Sequence, residues 1–326
     1  MARHRGLCSL LVLLTAIIAS AACNTGPSVA GTFDRDYSVT GPLRLEITNA
    51  SGDVDIAGSA DGKVHVRGEV RASGFGFDNP QKRLDDTIAN PPIEQTGETI
   101  RIGKEMSRLR NVSIAYSIQV PRDTEVNATV ASGAQTIRGV RGPVKVQAAS
   151  GSIREKIERF AQLTTASGSI SASDLGNDLR VFSASGSVTV LKVRGDVEVN
   201  AISGVIRISN PGGRVEADTA SGNVDIQGAA HDVKAHAASG RVSVQGHPGG
   251  ENYWELKTAS GSVQLSVPAS ANLHLSAEAV SGEIRSDIPI VVEEQVKHSL
   301  RAHMGSGGGR VDIHTVSGEI RITGTK

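Results

Sequence analysis

The feature that most constrains this chain is a dipeptide. Ser-Gly recurs in one local frame at Ser51, Ser132, Ser150, Ser167, Ser185, Ser203, Ser221, Ser239, Ser260, Ser281 and Ser317. From Ser132 to Ser239 the steps are 18, 17, 18, 18, 18 and 18 residues, followed by 21, 21 and 36, the last being two periods long. Positions six and four before each Ser are almost always apolar, as in Val197 and Val199 or Val215 and Ala217, and the position two before is small. Three after the Ser stands Val or Ile in every copy except at Gln135, and five after it the residue is apolar in nine of the eleven. Alternation with a period of two therefore runs up to the Ser, breaks, and resumes in a shifted phase.

Successive side chains of a strand point to opposite faces, so a strand that reverses its parity across two residues turns a corner there. The corners are Ser132 with Gly133, Ser150 with Gly151, Ser167 with Gly168, Ser185 with Gly186 and Ser203 with Gly204. They continue at Ser221 with Gly222, Ser239 with Gly240, Ser260 with Gly261, Ser281 with Gly282 and Ser317 with Gly318. Gly reaches backbone angles closed to other residues, and a Ser hydroxyl can bond local backbone groups at a bend. A second turn, "LKVRGD" or "SNPGGR", closes each unit. Two short strands and two bends in about eighteen residues are too small to bury an apolar face alone, whereas stacked units can do so. The expected fold is all-β, a single-domain β-solenoid (β-helix) with about 18-residue rungs. About ten rungs at about 4.8 Å each give a rod on the order of 50 Å long. A propeller blade needs a period near forty, and a sandwich would not hold a fixed step.

Only 3% of the 326 residues are aromatic, so the core must be made of Val, Ile, Leu and Ala. Lys plus Arg and Asp plus Glu both number 34, and no basic block of the kind that tracks phosphates is present, which argues against a nucleic-acid partner. Residues 1–22 read as a signal peptide: Arg3, His4 and Arg5 precede an apolar run from Leu10 to Ile18 that ends in small residues. Cys23, after Ala21 and Ala22, resembles the lipobox of bacterial lipoproteins, although Ser20 stands where Leu is usual. That resemblance implies a lipid on Cys23, a membrane partner through that lipid, and a tether over 23–35. Cys8 leaves with the signal, so no internal disulfide is expected.

The remaining chain divides into an N-terminal β region, 36–131, and the Ser-Gly repeats, 132–326. Within the first lies "FGFDNPQKRLDDTIANPP", which predicts one short amphipathic helix. Asp78 or Asn79 caps it, Pro80 suits its first turn, Leu84 and Ile88 share a face, and Pro91 ends it. Such an insertion serves to cover an open solenoid end; its Phe75 and Phe77 are candidates for a recognition surface. A second excursion, Ser286 to Gly309, is expected on a flank or at the far end.

Catalysis finds little support. A nucleophile needs a base and an oxyanion site, assembled once, and eleven equivalent serines cannot all be catalytic. No His or Asp recurs at a fixed offset from them. His298 and His303 are five apart without acidic or Cys companions, so neither a metal nor any other cofactor is expected. Outward residues four after each Ser, such as Asp55, Arg154, Arg207 and Asp225, mix signs and sizes without forming a ladder of paired carboxylates. Trp254, the single tryptophan, falls six before Ser260, on the inward frame, while Tyr253 has the opposite parity and is a candidate exposed binding residue.

The repeats "TASGSI", "AISGVIRIS", "TASGNVDI" and "TVSGEIRI", with "YSIQVPRDTEVNATVASG" leading into them, resemble the bacterial putative-adhesin β-strand-repeat family of unknown function, related to the GIN-head domain. The resemblance covers about residues 36 to 326. It implies an extracytoplasmic β-solenoid with an adhesin label and carries over no catalytic residues. The expectation is a lipid-anchored, non-catalytic binding or scaffold module at the cell envelope, whose partner is an envelope protein or glycan. The rival readings are a polysaccharide-acting β-helix enzyme and a sensor component of an envelope-stress pathway.

Overall fold

The computed structural model describes residues 28–74, 79–103 and 110–325. Each rung contributes one strand to each of two sheets. Strands leading into a Ser, such as Val197–Ser203 and Val215–Ser221, form a 15-stranded inbound sheet with two antiparallel end pieces. Strands leaving the Gly, such as Ile206–Ser209 and Val224–Ala229, form a 14-stranded outbound sheet. Neighbouring rungs pair in parallel and in register, with Ser185 beside Ser203 and Ser203 beside Ser221. The core lies between the sheets and follows the inward positions read from the sequence: Val197, Val199, Ile206 and Ile208 are no more than 1% exposed. The chain is therefore the β-solenoid that its period predicts.

At the corner itself, ten of the eleven glycines take φ between 115° and 149°, as at Gly204 (128°). A side chain is strained there. Gly282 is the exception, without a positive φ. A Cβ at Gly204 would also collide with the backbone of Gly186 one rung below. The corner serines, in contrast, hold no hydrogen bond through their hydroxyls among the described residues; that part of the sequence expectation is corrected. They lie at the bend, from half-buried to exposed.

The second turn has its own device, seven residues after the Ser. Asp174, Lys192 and Asn210 occupy this position in successive rungs with φ of 54°, 55° and 52°, and Gly228 follows with 75°. Asp and Asn tolerate this region and Lys does so less readily. Carboxylates then staple rung to rung: Asp178 Oδ1 accepts from the Asp196 N–H at 3.0 Å, and Asp196 Oδ1 from the Arg214 N–H at 2.8 Å.

Both ends depart from sequence order. Ser51 pairs directly with Ser132, so the intervening residues are an excursion that builds the N-terminal end. Residues 28–35, expected as tether, instead begin the strand Ser28–Ser38, which pairs antiparallel with Lys63–Ser73. The helix forms as predicted over Pro80–Ala89, with Asn79 Oδ1 accepting from the N–H groups of Gln81 and Lys82. It packs on those two strands, burying Leu84 and placing Ile88 against Gly31. At the other end the Ser317 rung inserts between those of Ser260 and Ser281. The skipped residues form an antiparallel hairpin, Val291–Val296 with Ser299–Met304, that terminates the inbound sheet.

Candidate binding faces

The outward side chains of the inbound sheet fall into columns that run along the rod. The residue immediately before each corner Ser is Ala, Ile or Val in all eleven rungs. These residues face solvent, and the larger ones are well exposed: Ile202 at 52%, Val280 at 53% and Val316 at 46%. Two positions further back, the rungs of Ser51 to Ser185 present Thr48, Thr129, Gln147, Thr164 and Phe182. Together these columns line a shallow groove of about 600 Å³, bounded by Phe182, Ala184 and Thr48 and free of charged side chains. Phe182 is 46% exposed and supplies the one large aromatic surface of that groove.

Past Phe182 the same face becomes ionic. His236 Nδ1 lies 3.1 Å from Asp218 Oδ1 and its Nε2 lies 3.5 Å from Glu255 Oε2, so one imidazole bridges three successive rungs. The Asp218 hydrogen bond raises the pKa of His236 above its ordinary value, against the opposing effect of partial burial. Lys257, hydrogen-bonded to Glu255, holds that carboxyl below the usual range.

Tyr253 belongs to this ionic region and is half-buried. Its hydroxyl donates to Asp312 Oδ2 at 3.0 Å and the Arg310 guanidinium sits 5.8 Å from its ring centroid. Desolvation, followed by the Asp312 hydrogen bond, pushes the phenol up to about 12. The expectation of a freely exposed tyrosine is corrected: both its ring face and its hydroxyl are occupied. Trp254 lies inside as its parity predicts, 0% exposed, with Nε1 donating to the His231 carbonyl at 2.7 Å. Cys23, Phe75 and Phe77 lie outside the described residues.

The outbound face and the second turn carry compensated charge. Arg138 pairs with Asp55 at 2.9 Å and Arg321 with Asp287 at 2.8 Å. A second groove, of about 640 Å³, runs along the turn past Glu158, Asp174, Lys192 and Arg194. On the inbound face Glu198 is 3.1 Å from Arg180 of the preceding rung. Among the described residues no group of three or more His, Cys, Asp or Glu side chains is placed to hold a metal ion. No described helix is long and apolar enough to cross a membrane. Sequence reasoning missed Phe182, and its signal was available: the one aromatic hydrocarbon ring in an outward column otherwise filled by polar and charged residues.

Solved structures that resemble this chain include the following three. A putative cell adhesion protein from Clostridium sporogenes ATCC 15579 shares 12% identity, with 91% of this chain and 100% of that one covered, at a TM-score of 0.22. A putative lipid binding protein from Parabacteroides distasonis ATCC 8503 shares 9% over 90% and 97%, at 0.34. A putative adhesin from Bacteroides fragilis NCTC 9343 shares 12% over 90% and 97%, at 0.25. At such scores these likenesses say nothing about function. No curated protein matches the chain. The Toastrack DUF4097 family model matches residues 116–323, the greater part of the solenoid with its inserted last rung, and the chain belongs to that family.

Proposed function

We propose that this protein is a non-catalytic, adhesin-like binding module, held at the bacterial cell envelope by a lipid on Cys23. The observation that carries the binding reading is the uncharged groove beside Phe182, which gives way to ionic side chains further along the same face. A rigid, flat array with one exposed aromatic and flanking Thr and Gln groups suits a neutral, extended ligand such as an envelope glycan strand. Hydroxyl and amide groups then supply hydrogen bonds and the ring supplies a stacking surface. The chemistry of hydrolysis is poorly served here: the groove offers no carboxylate, and Glu198 outside it is tied to an arginine.

The test has two parts. Purified protein is co-sedimented with envelope polysaccharides and peptidoglycan and assayed for released reducing ends. Retention that Phe182→Ser weakens about tenfold or more, without turnover, supports the reading. Turnover abolished by a single carboxylate substitution would establish an enzyme instead. For the anchor, labelled fatty acid should enter the wild-type chain and not Cys23→Ser; an unlabelled wild type leaves simple secretion.

A further inference from the structure

The groove beside Phe182 has a definite long axis, and strand register sets it. Thr48, Thr129, Gln147, Thr164 and Phe182 stand side by side on five successive strands of the inbound sheet, each the register partner of the next. Rungs about 4.8 Å apart make this file about 19 Å long. Across the rod the groove takes in only the file and the Ala that precedes each corner Ser, two residues along the strand or about 7 Å. It is therefore a narrow trough that runs parallel to the rod axis.

Both ends of the trough are defined. Thr48 heads the file, because the next strand, Thr99–Ile102, pairs only with Arg44 to Ile47. At the other end Phe182 stands out from the sheet. Beyond it the Ala floor gives way to the exposed Ile202, and the file continues as Asn200, which is bonded to Glu198. Within the trough the Ala methyl groups and the Phe182 ring supply apolar surface. The hydroxyls of Thr48, Thr129 and Thr164 and the Gln147 amide have no hydrogen-bond partner among the described residues, so a file of free polar groups borders that surface.

We infer that the occupant is a neutral β-1,4-linked pyranose chain lying along the rod, one sugar to each rung, over five subsites. This rests on the groove being the binding site and adds the linkage, the direction and the length of the ligand. Equatorial bonds at both ends of each ring keep such a chain straight and ribbon-like, and each ring advances it by a distance close to the rung spacing. A repeating surface can then meet a repeating polymer in phase. The C–H faces of the rings suit the Ala methyl groups and Phe182, and the hydroxyl or acetamido groups on their edges reach the Thr and Gln file. An α-1,4-linked chain coils, and it would leave a straight trough within a few rungs. No lining residue is charged, which matches a neutral strand.

The test titrates the full chain by calorimetry with cello- and chito-oligosaccharides from dimer to octamer, and with malto-oligosaccharides of the same lengths. Affinity for the β-1,4 series should rise with length to the pentamer and then level off, while the α-1,4 series should bind weaker by about tenfold or more. Phe182→Ser should weaken pentamer binding about tenfold or more and move the plateau to the tetramer. Thr129→Arg, exposed in mid-file, should block the pentamer and leave circular dichroism and melting unchanged. A plateau at the dimer or trimer would mean a strand that crosses the rod, and it would overturn the inference. So would a preference for the α-1,4 series, or pentamer binding indifferent to Thr129→Arg. If envelope polysaccharides are retained through Phe182 while neither series binds, the inference fails and the groove reading stands; if no glycan is retained, both fail.

Discussion

The Gly204 N–H donates to the Ser221 carbonyl of the next rung at 3.0 Å, and no Cβ fits at Gly204 without striking the backbone of Gly186. Rung spacing and corner geometry thus meet in one residue, while the neighbouring Ser203 hydroxyl has no hydrogen-bond partner among the described residues. Gly204→Val should therefore destabilise the fold by roughly 1–3 kcal/mol or more, through a forbidden φ and a forced separation of rungs. Ser203→Ala should stay within about 0.5 kcal/mol. Urea midpoints decide the matter, and equal effects would remove the distinction between the two corner residues.

Trp254 fills the inward column occupied by Val233 and Val311 in the rungs beside it, and its Nε1 bonds the His231 carbonyl. Trp254→Ala should cost about 3–5 kcal/mol for the lost contacts and the cavity. Trp254→Phe retains most of the apolar surface but orphans a carbonyl, at about 1–2 kcal/mol. The ring is also the single tryptophan, so emission from the wild-type protein should be blue-shifted when folded and move to longer wavelength at the same urea concentration at which circular dichroism is lost.

What the sequence revealed was whatever repeats locally. Inward parity, the rung period, the helix with its Asn79 cap and the burial of Trp254 are all set within a dozen residues of the positions concerned. What it concealed was order in space. A step of two periods before Ser317 is compatible with two successive rungs, whereas the chain forms a hairpin and returns to place Ser317 between Ser260 and Ser281. The strand at residues 28–35 was equally hidden, because the stretch "SVAGTFDR" lies outside the Ser-Gly period and becomes a strand only when Lys63–Ser73 is there to pair with it. Phe182 was legible as an outward residue, but the groove it bounds is assembled from five rungs.

His236 should titrate above the ordinary histidine value, chiefly through its hydrogen bond to Asp218 and with help from Glu255. Because the folded value is raised, the contribution of this contact to stability is complete at low pH and fades as pH rises through the folded value. Asp218→Asn should lower the midpoint, as followed by the imidazole proton resonances, and leave the fold intact. A midpoint that does not move would mean that Asp218 and His236 are not in contact in solution.

Glu155 is the sharpest departure from the pattern. It stands five after Ser150, between Ile137 and Ala172 on the inner face of the outbound sheet. It is 3% exposed and neither carboxyl oxygen has a partner. The other buried side chains of its own and the adjoining rungs, among them Gln135, Val146, Leu163, Thr165 and Ile170, carry no charge. Desolvation accordingly drives its pKa up to about 8. In the unfolded chain the group ionises near the ordinary value of about 4.3, so between these two values the folded state binds the extra proton. Stability is then greatest below about pH 4.3 with respect to this group, falls as pH rises, and levels off above the folded value. By pH 7 the loss is on the order of 3 kcal/mol. Glu155→Gln keeps the shape and removes the ionisation; it should be more stable than wild type at pH 7, and the difference should shrink toward pH 4. Urea unfolding of both proteins across that range measures the gap directly. A gap that does not change with pH would show that the carboxyl reaches water or a partner in the folded protein.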